Sequence, residues 1–264
     1  MERDEWSRSR YWLCHFLHNR HERPPVAWDG PVRLGRPSLS ATVTWLRHCA
    51  GAQTAGRPWL IGRAVTKYSH DPAFVQSLRL FVAERKYHRQ IIGRVLERLG
   101  AADQPVRRSG LFLRGGRLLG VRYELSALLL AALIDVAVFR VVRDATDDDS
   151  LRGVCAGVIR DKRAHVAFLA ERLTMEFADF NFVRRNLRRL RLRAMFSLKL
   201  ARVAAEHGRL ITLAGWTRRR FVGGCWTRFA GVLEQMVPYR REALLAALLA
   251  QRKDPFAKPH LIDS

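Results

Sequence analysis

Apolar positions recur every three or four residues through most of the chain, and runs of strict alternation are rare. That spacing predicts helices and leaves strand signals weak. The clearest segment is Asp71–Leu99, where "HDPAF" offers Asp71 as cap and Pro72 as first helical residue, and Gly100 stops the run. Leu119–Asp144 is almost entirely apolar and predicts the most buried helix. Asp149–Phe177 follows the acidic cluster Asp147–Asp149, which suits a helix N-terminus. An earlier helix, Ser38–Cys49, opens after Pro37 with Ser38 or Ser40 as cap; its continuation toward Tyr68 is broken by Gly51, Gly56 and Pro58. The stretch "DQPVRRSGLFLRGGR" (Asp103–Arg117) reads as a long crossover. Further helices are expected at Phe182–Gly208, Trp216–Met236 and Tyr239–Arg252.

These elements predict an all-α protein in three parts. Residues 1–37 read as an irregular extension, because "ERPPVAWDGPVRLGRPS" is rich in breakers. Residues 38–176 fit a four-helix bundle with one long connection. Residues 177–264 form a helical region packed on the core or appended to it. No segment reaches the roughly 20 uncharged apolar residues that span a bilayer. The nearest, "LSALLLAALIDVAVF" (Leu125–Phe139), is short and carries Asp135. With no apolar leader at the N-terminus, a cytoplasmic location is the default expectation.

Charge changes this picture in one respect. The 264 residues carry 47 Lys and Arg, of which 41 are Arg, and a net charge of +23. A GC-rich genome can enrich Arg without function. The distribution is nonetheless uneven: residues 177–264 hold 18 basic and 6 acidic residues, against 29 and 18 in residues 1–176. Cys14, Cys49, Cys155 and Cys225 show no paired spacing and read as ordinary buried thiols.

The candidate chemistry lies in a repeated pattern. "FVAERKYH" (Phe81–His88) and "VIRDKRAH" (Val158–His165) each place an acid, then a base, then a histidine four residues after the acid. Residues i and i+4 share a helix face, so Glu84 projects with His88 and Asp161 with His165. Taken singly, each pair reads as a surface i,i+4 contact. Taken together with Asp135 on the most apolar helix, they suggest a buried centre. A buried carboxylate needs a metal, a cation or a proton.

At these residues the chain resembles the bacterial ferritin-like di-iron or di-manganese carboxylate proteins. Their helices supply Glu, Glu-x-x-His, Glu and Glu-x-x-His. "FVAERKYH" and "IRDKRAHVAF" resemble the second and fourth helices of that family, including Glu84, His88, Asp161, His165 and Phe168. "LIDVAVFRVVRDATDD" resembles the third, with Asp135 where a ligand Glu is expected, and "LRHCAGAQTAG" the first, with Ala52 at the ligand position. The resemblance implies a ferritin-like bundle over residues 38–176. It also implies that the ligand positions three residues before each histidine are now Arg85 and Lys162. His88, His165 and Asp135 would be remnant ligands, with Glu84 and Asp161 as an alternative set.

Too few carboxylates remain to neutralise two metal ions, and Arg85 and Lys162 would repel them. No cofactor is therefore expected, with iron or manganese as the alternative. The expected function is that of a pseudoenzyme or binding protein, whose partner would be a second copy, an active homologue or a small apolar ligand. Arg85 and Lys162 are expected to point inward and pair with Asp135. The alternative is an O2-dependent oxidase or oxygenase with a non-standard centre at His88, His165 and Asp135.

The basic tail supports a third expectation. In "RRNLRRLRLR" (Arg184–Arg193), six Arg lie beside an apolar stripe of Val183, Leu187, Leu190 and Ala194. Such a helix is either a bundle helix with a solvated basic face or a contact for anionic lipid or nucleic acid. "GWTRRRFVGGCWTRF" interleaves Arg with Trp216, Phe221 and Trp226, a pattern that stacks on bases or packs beneath Arg stems. No specific nucleic-acid motif accompanies either stretch. Cys14, His18 and His21 share a helix face but lack a second cluster.

Overall fold

The computed structural model describes residues 2–30, 33–53, 58–101, 110–178 and 180–236, and among them it is all-helical. The elements are α1 (Glu2–His21), α2 (Arg36–Gln53), α3 (Pro58–Lys67), α4 (Pro72–Arg98), α5 (Gly110–Asp144), α6 (Asp149–Glu176), α7 (Phe182–Glu206), α8 (Gly208–Leu213) and α9 (Arg218–Gln235). The expected helix Tyr239–Arg252 lies outside the described residues, as does the first part of the expected crossover, 103–109; its remainder, 110–117, is not a crossover but the opening of α5.

Local chemistry accounts for the well-defined ends. Asp71 accepts a hydrogen bond from the Phe74 amide ahead of Pro72, and Asp148 does the same for Leu151. Gly100 ends α4 with φ +66°. Asn181 and Thr217 cap α7 and α9 through their side chains. Within α5, Gly120 adopts φ +83° and breaks the helical path, so the apolar stretch that follows runs on its own axis. Gly120–Asp144 is long and apolar enough to cross a membrane by length and composition. It exceeds the expected length because Asp135 does not interrupt it. In the fold it is a core helix, 78% buried over its most apolar window.

The main packing runs along α5 and α6, with α4 against α1, α2 and α6. The C-terminal helices α7, α8 and α9 lie on α5, and α8 also meets α2. Phe196 and Phe229 stack at 4.1 Å between α7 and α9 with Trp226 edge-on to both, and Phe221 is buried elsewhere on α9. The aromatics of Gly215–Phe229 thus serve packing, with Arg220 laid over Trp216 at 4.5 Å.

One expectation is corrected outright. The first 37 residues are not irregular, because α1 is a 20-residue helix docked on α4 and α6. Its inward face is Ser9, Trp12, Phe16 and Asn19, all buried at helical spacing. Trp12 and Phe16 pack edge-on against Phe168 at 5.6 and 5.3 Å. Only the segment from Glu22 to Gly35 runs without helix where it is described. Docking makes a direct prediction. Phe16→Ala should lower unfolding free energy by about 3–5 kcal/mol, as for a core aromatic. A urea melt showing less than about 0.5 kcal/mol, typical of surface sites, would mean that α1 does not belong to the core.

Candidate functional site

The repeated acid–base–histidine pattern forms one buried cluster between α4 and α6. Glu84, His88, Asp161 and His165 are each 5% exposed or less. The i,i+4 spacing turns both members of each pair inward, but the contacts form between helices. Glu84 Oε2 meets His165 Nε2 at 2.6 Å, and Asp161 Oδ2 meets His88 Nε2 at 2.9 Å. The surface-pair reading of each stretch is thereby excluded. The two imidazoles lie 5.7 Å apart, and Phe81 packs 4.5 Å from His165.

α1 closes the cluster with residues that the sequence reading placed in an irregular segment. Asn19 Nδ2 donates to Glu84 Oε1 at 2.5 Å and to Asp161 Oδ1 at 3.0 Å. Just beyond the helix, Arg23 reaches Glu84 Oε1 at 2.5 Å and Asp161 Oδ2 at 3.2 Å. Its guanidinium sits 3.9 Å over the Tyr87 ring. Arg160 donates to the Asn19 side-chain oxygen at 3.0 Å. The available signal for Asn19 was its position one turn after Phe16 on an apolar face.

Burial sets the charges. It lowers the pKa of both His88 and His165, strongly so for His165, where the ammonium of Lys162 adds to the effect. Burial also raises Glu84, reinforced by the charge on Asp161. Asp161 goes the other way. Burial opposes its ionisation, but bonds from His88 and Asn19 and the charge of Arg23 hold its carboxyl below the usual range. The cluster thus favours an ionised Asp161 and an uncharged His165.

Arg85 and Lys162, each three residues before a cluster histidine, face the same interior. Lys162 is buried, and its Nζ lies 2.7 Å from Asp135 Oδ2. Arg85 is partly buried and its pKa is lowered by that burial, against the opposing pull of Asp135. Its guanidinium lies 5.9 Å from the Phe81 ring centre. The direct partner of Asp135 is therefore Lys162, while Arg85 acts on it through its field. Ala52 falls in α2, outside the residues whose side chains are described. Glu124 is buried on α5.

These residues do not fit a dinuclear metal centre. Both histidine Nε2 atoms and both cluster carboxylates are engaged with one another, with Asn19 or with Arg23. His88 Nδ1 has no hydrogen-bond partner, but one lone pair beside a buried ammonium cannot balance two dications. Cys14, His18 and His21 lie on the outer face of α1, with His18 paired to Glu22 at 3.2 Å. Among the described residues, a single group of three metal-capable side chains has all its ligand atoms within 4.8 Å of one another, His48, Glu206 and His207. The sequence reading did not find that group, because its members come from distant elements.

Comparison with protein-family models, curated proteins and solved structures gave no match. The cluster has to be interpreted from its own chemistry.

The pKa directions fix a pH dependence. His15, His88, His165 and His207 are all lowered by burial, His207 to about 4. The unfolded chain protonates its histidines near pH 6.5. Below that pH the unfolded state binds more protons, so stability falls as pH falls toward the folded-state values. Raised Glu84 opposes this trend, because protonating it favours the folded state. Glu171, also raised by burial, opposes it too; with four histidines against two glutamates, unfolding free energy should decline from pH 7 to pH 5. His165→Gln should flatten the slope by up to about 1.4 kcal/mol per pH unit. Denaturant melts at pH 7, 6 and 5 measure both, and an unchanged slope in the variant would contradict a neutral buried His165.

Proposed function

We propose that the protein is a non-catalytic, ferritin-like binding protein whose ancestral metal centre has been replaced by an ion-pair network. The observation that carries this reading is the Lys162–Asp135 pair, an ammonium held at the carboxylate where the resemblance expects metal charge. The order of long helices α2, α4, α5 and α6 supports the ferritin-like part of the reading. The closed cross-pairs of Glu84 and Asp161 support the loss of redox chemistry. Elemental analysis should find neither iron nor manganese near stoichiometry in protein grown with both and purified without chelator. One or two such ions per chain, lost in His88→Gln or His165→Gln, would restore the oxidase alternative.

A second observation favours a binding surface. Phe182, Val183, Leu187, Leu190 and Leu198 of α7 are 62–77% exposed. The stripe read from the sequence as the apolar face of a basic helix is thus the solvent face. The buried face is Leu192, Phe196, Leu200 and Ala204. Arg184, Arg189 and Arg191 flank the exposed row, and a groove of about 250 Å³ opens beside Arg189 and Arg193 against Trp226 and Leu233. A large exposed apolar row marks an interaction site. An apolar row edged by Arg complements an anionic bilayer surface, whose headgroups meet the cations while acyl chains meet the leucines. A nucleic acid would neutralise the Arg but leave the leucines without an apolar partner. We assign α7 to contact with an anionic membrane surface.

The chain should co-sediment with vesicles containing phosphatidylglycerol and not with pure phosphatidylcholine. Binding should weaken as salt rises. Leu187→Glu with Leu190→Glu should abolish it without altering the melt, since both side chains are exposed. Binding to DNA or RNA but not to vesicles would overturn the assignment.

A further inference from the structure

We propose that His48, Glu206 and His207 form a binding site for a divalent transition metal, zinc in the first instance, that clips α2 to the junction of α7 and α8. His48 Nδ1 lies 3.9 Å from Glu206 Oε2, and His207 Nε2 lies 4.0 Å from the same oxygen. All three ligand atoms fall within 4.8 Å of one another. Tetrahedral zinc with bonds of about 2.0–2.1 Å sets its ligand atoms roughly 3.3–3.4 Å apart. The two contacts to Glu206 need to close by about 0.6 Å, and the His48–His207 separation by at most about 1.4 Å, to meet that geometry.

Independent observations point to a ligand. His207 is 5% exposed, and its Nε2 has no hydrogen-bond partner. A buried ring nitrogen left in that state costs free energy. His207 occupies the turn between α7 and α8 yet makes no side-chain capping bond, so helix capping does not explain it.

The surroundings also favour a site. Arg202 Nε binds Glu206 Oε1 at 2.7 Å and leaves Oε2 toward the imidazoles. That is the orienting contact that metal-bound carboxylates commonly have. Trp45 stacks on His48 at 5.7 Å and meets the His207 ring edge-on at 4.7 Å, fixing both rings. Two imidazoles and one carboxylate suit zinc and leave its fourth position to water, because His48 and Glu206 are partly open to solvent. The site is separate from the Glu84–His165 cluster and does not depend on the reading of that cluster.

The test uses the full chain after dialysis against chelator. Calorimetric titration with Zn²⁺ should give one site per chain. Co²⁺ in its place should give the visible absorption of a tetrahedral ion. His48→Ala and Glu206→Gln, both at partly open positions, should each abolish stoichiometric binding with the fold intact by circular dichroism. Arg202→Ala should weaken binding by roughly 10- to 100-fold as an orienting residue. His21→Ala, on the outer face of α1, should leave binding unchanged. The proposal is overturned if the wild-type chain takes up no zinc, or if uptake survives in both His48→Ala and Glu206→Gln.

Discussion

Glu84, His88, Asp161 and His165 cannot be buried one at a time. Each ionised group taken alone into the interior costs several kcal/mol, so the four have to arrive together with their partners. Their cross-pairing sets the register of α4 against α6, since a one-residue slip turns a helix face by about 100° and separates both pairs. It also requires α1. Asn19 is placed between the two carboxylates and Arg23 reaches both. Without them Glu84 and Asp161 would face each other with uncompensated charge. The aromatic layer of Phe16, Phe81 and Phe168 then seals the cluster on one side. Helix order, N-terminal docking and core packing thus follow from one electrostatic constraint.

The long helices and their caps were legible in the sequence because those signals are local. Asp71, Pro72, Gly100 and Asp148 act through the backbone within a few residues of themselves. The duplicated pattern was legible as well, through its i,i+4 spacing. Spacing alone cannot say whether Glu84 pairs with His88 on its own helix or with His165 on another. Both arrangements present the same residues on the same face. The helix α1 was missed for a related reason. Its inward face mixes Trp12 and Phe16 with Ser9 and Asn19, so a hydropathy pattern finds only a narrow apolar stripe. Buried polar residues look exposed until their partners are known. His48, Glu206 and His207 had no local signal at all, since α2 and the α7–α8 junction meet only in the folded chain.

The Arg excess separates into two populations. Some guanidinium groups are structural. Arg172 pairs with Asp71 at 3.1 Å while lying 4.1 Å over both Tyr68 and Phe74. Arg98 makes two bonds to the buried Asp148, at 2.8 and 2.9 Å. These positions use the planar fork and the stacking face of Arg, which Lys lacks. Lys162 is the complementary case, because a compact ammonium on a flexible stem fits a single carboxylate contact at Asp135. The residues along the first half of α7 form the second population, and there charge acts as a field over an exposed apolar row.

Both outward-facing features converge on α7. The helix is held by Leu192, Phe196, Leu200 and Ala204 in its second half, while the exposed row occupies mainly the first half. It ends at Glu206 and His207, against His48 of α2. A metal at that end affects a surface contact at the other only if α7 has two arrangements that the metal binds unequally. The packing restricts what the second arrangement can be. The stacked Phe196 and Phe229, with Trp226 edge-on to both, tie the second half of α7 to α9, and breaking them exposes aromatic area. The arrangement of lower cost keeps that contact and changes the α7–α8 turn, where His207 makes no capping bond. A metal would act on that turn and leave the apolar row in place, because the row rides on a helix that stays packed on α9.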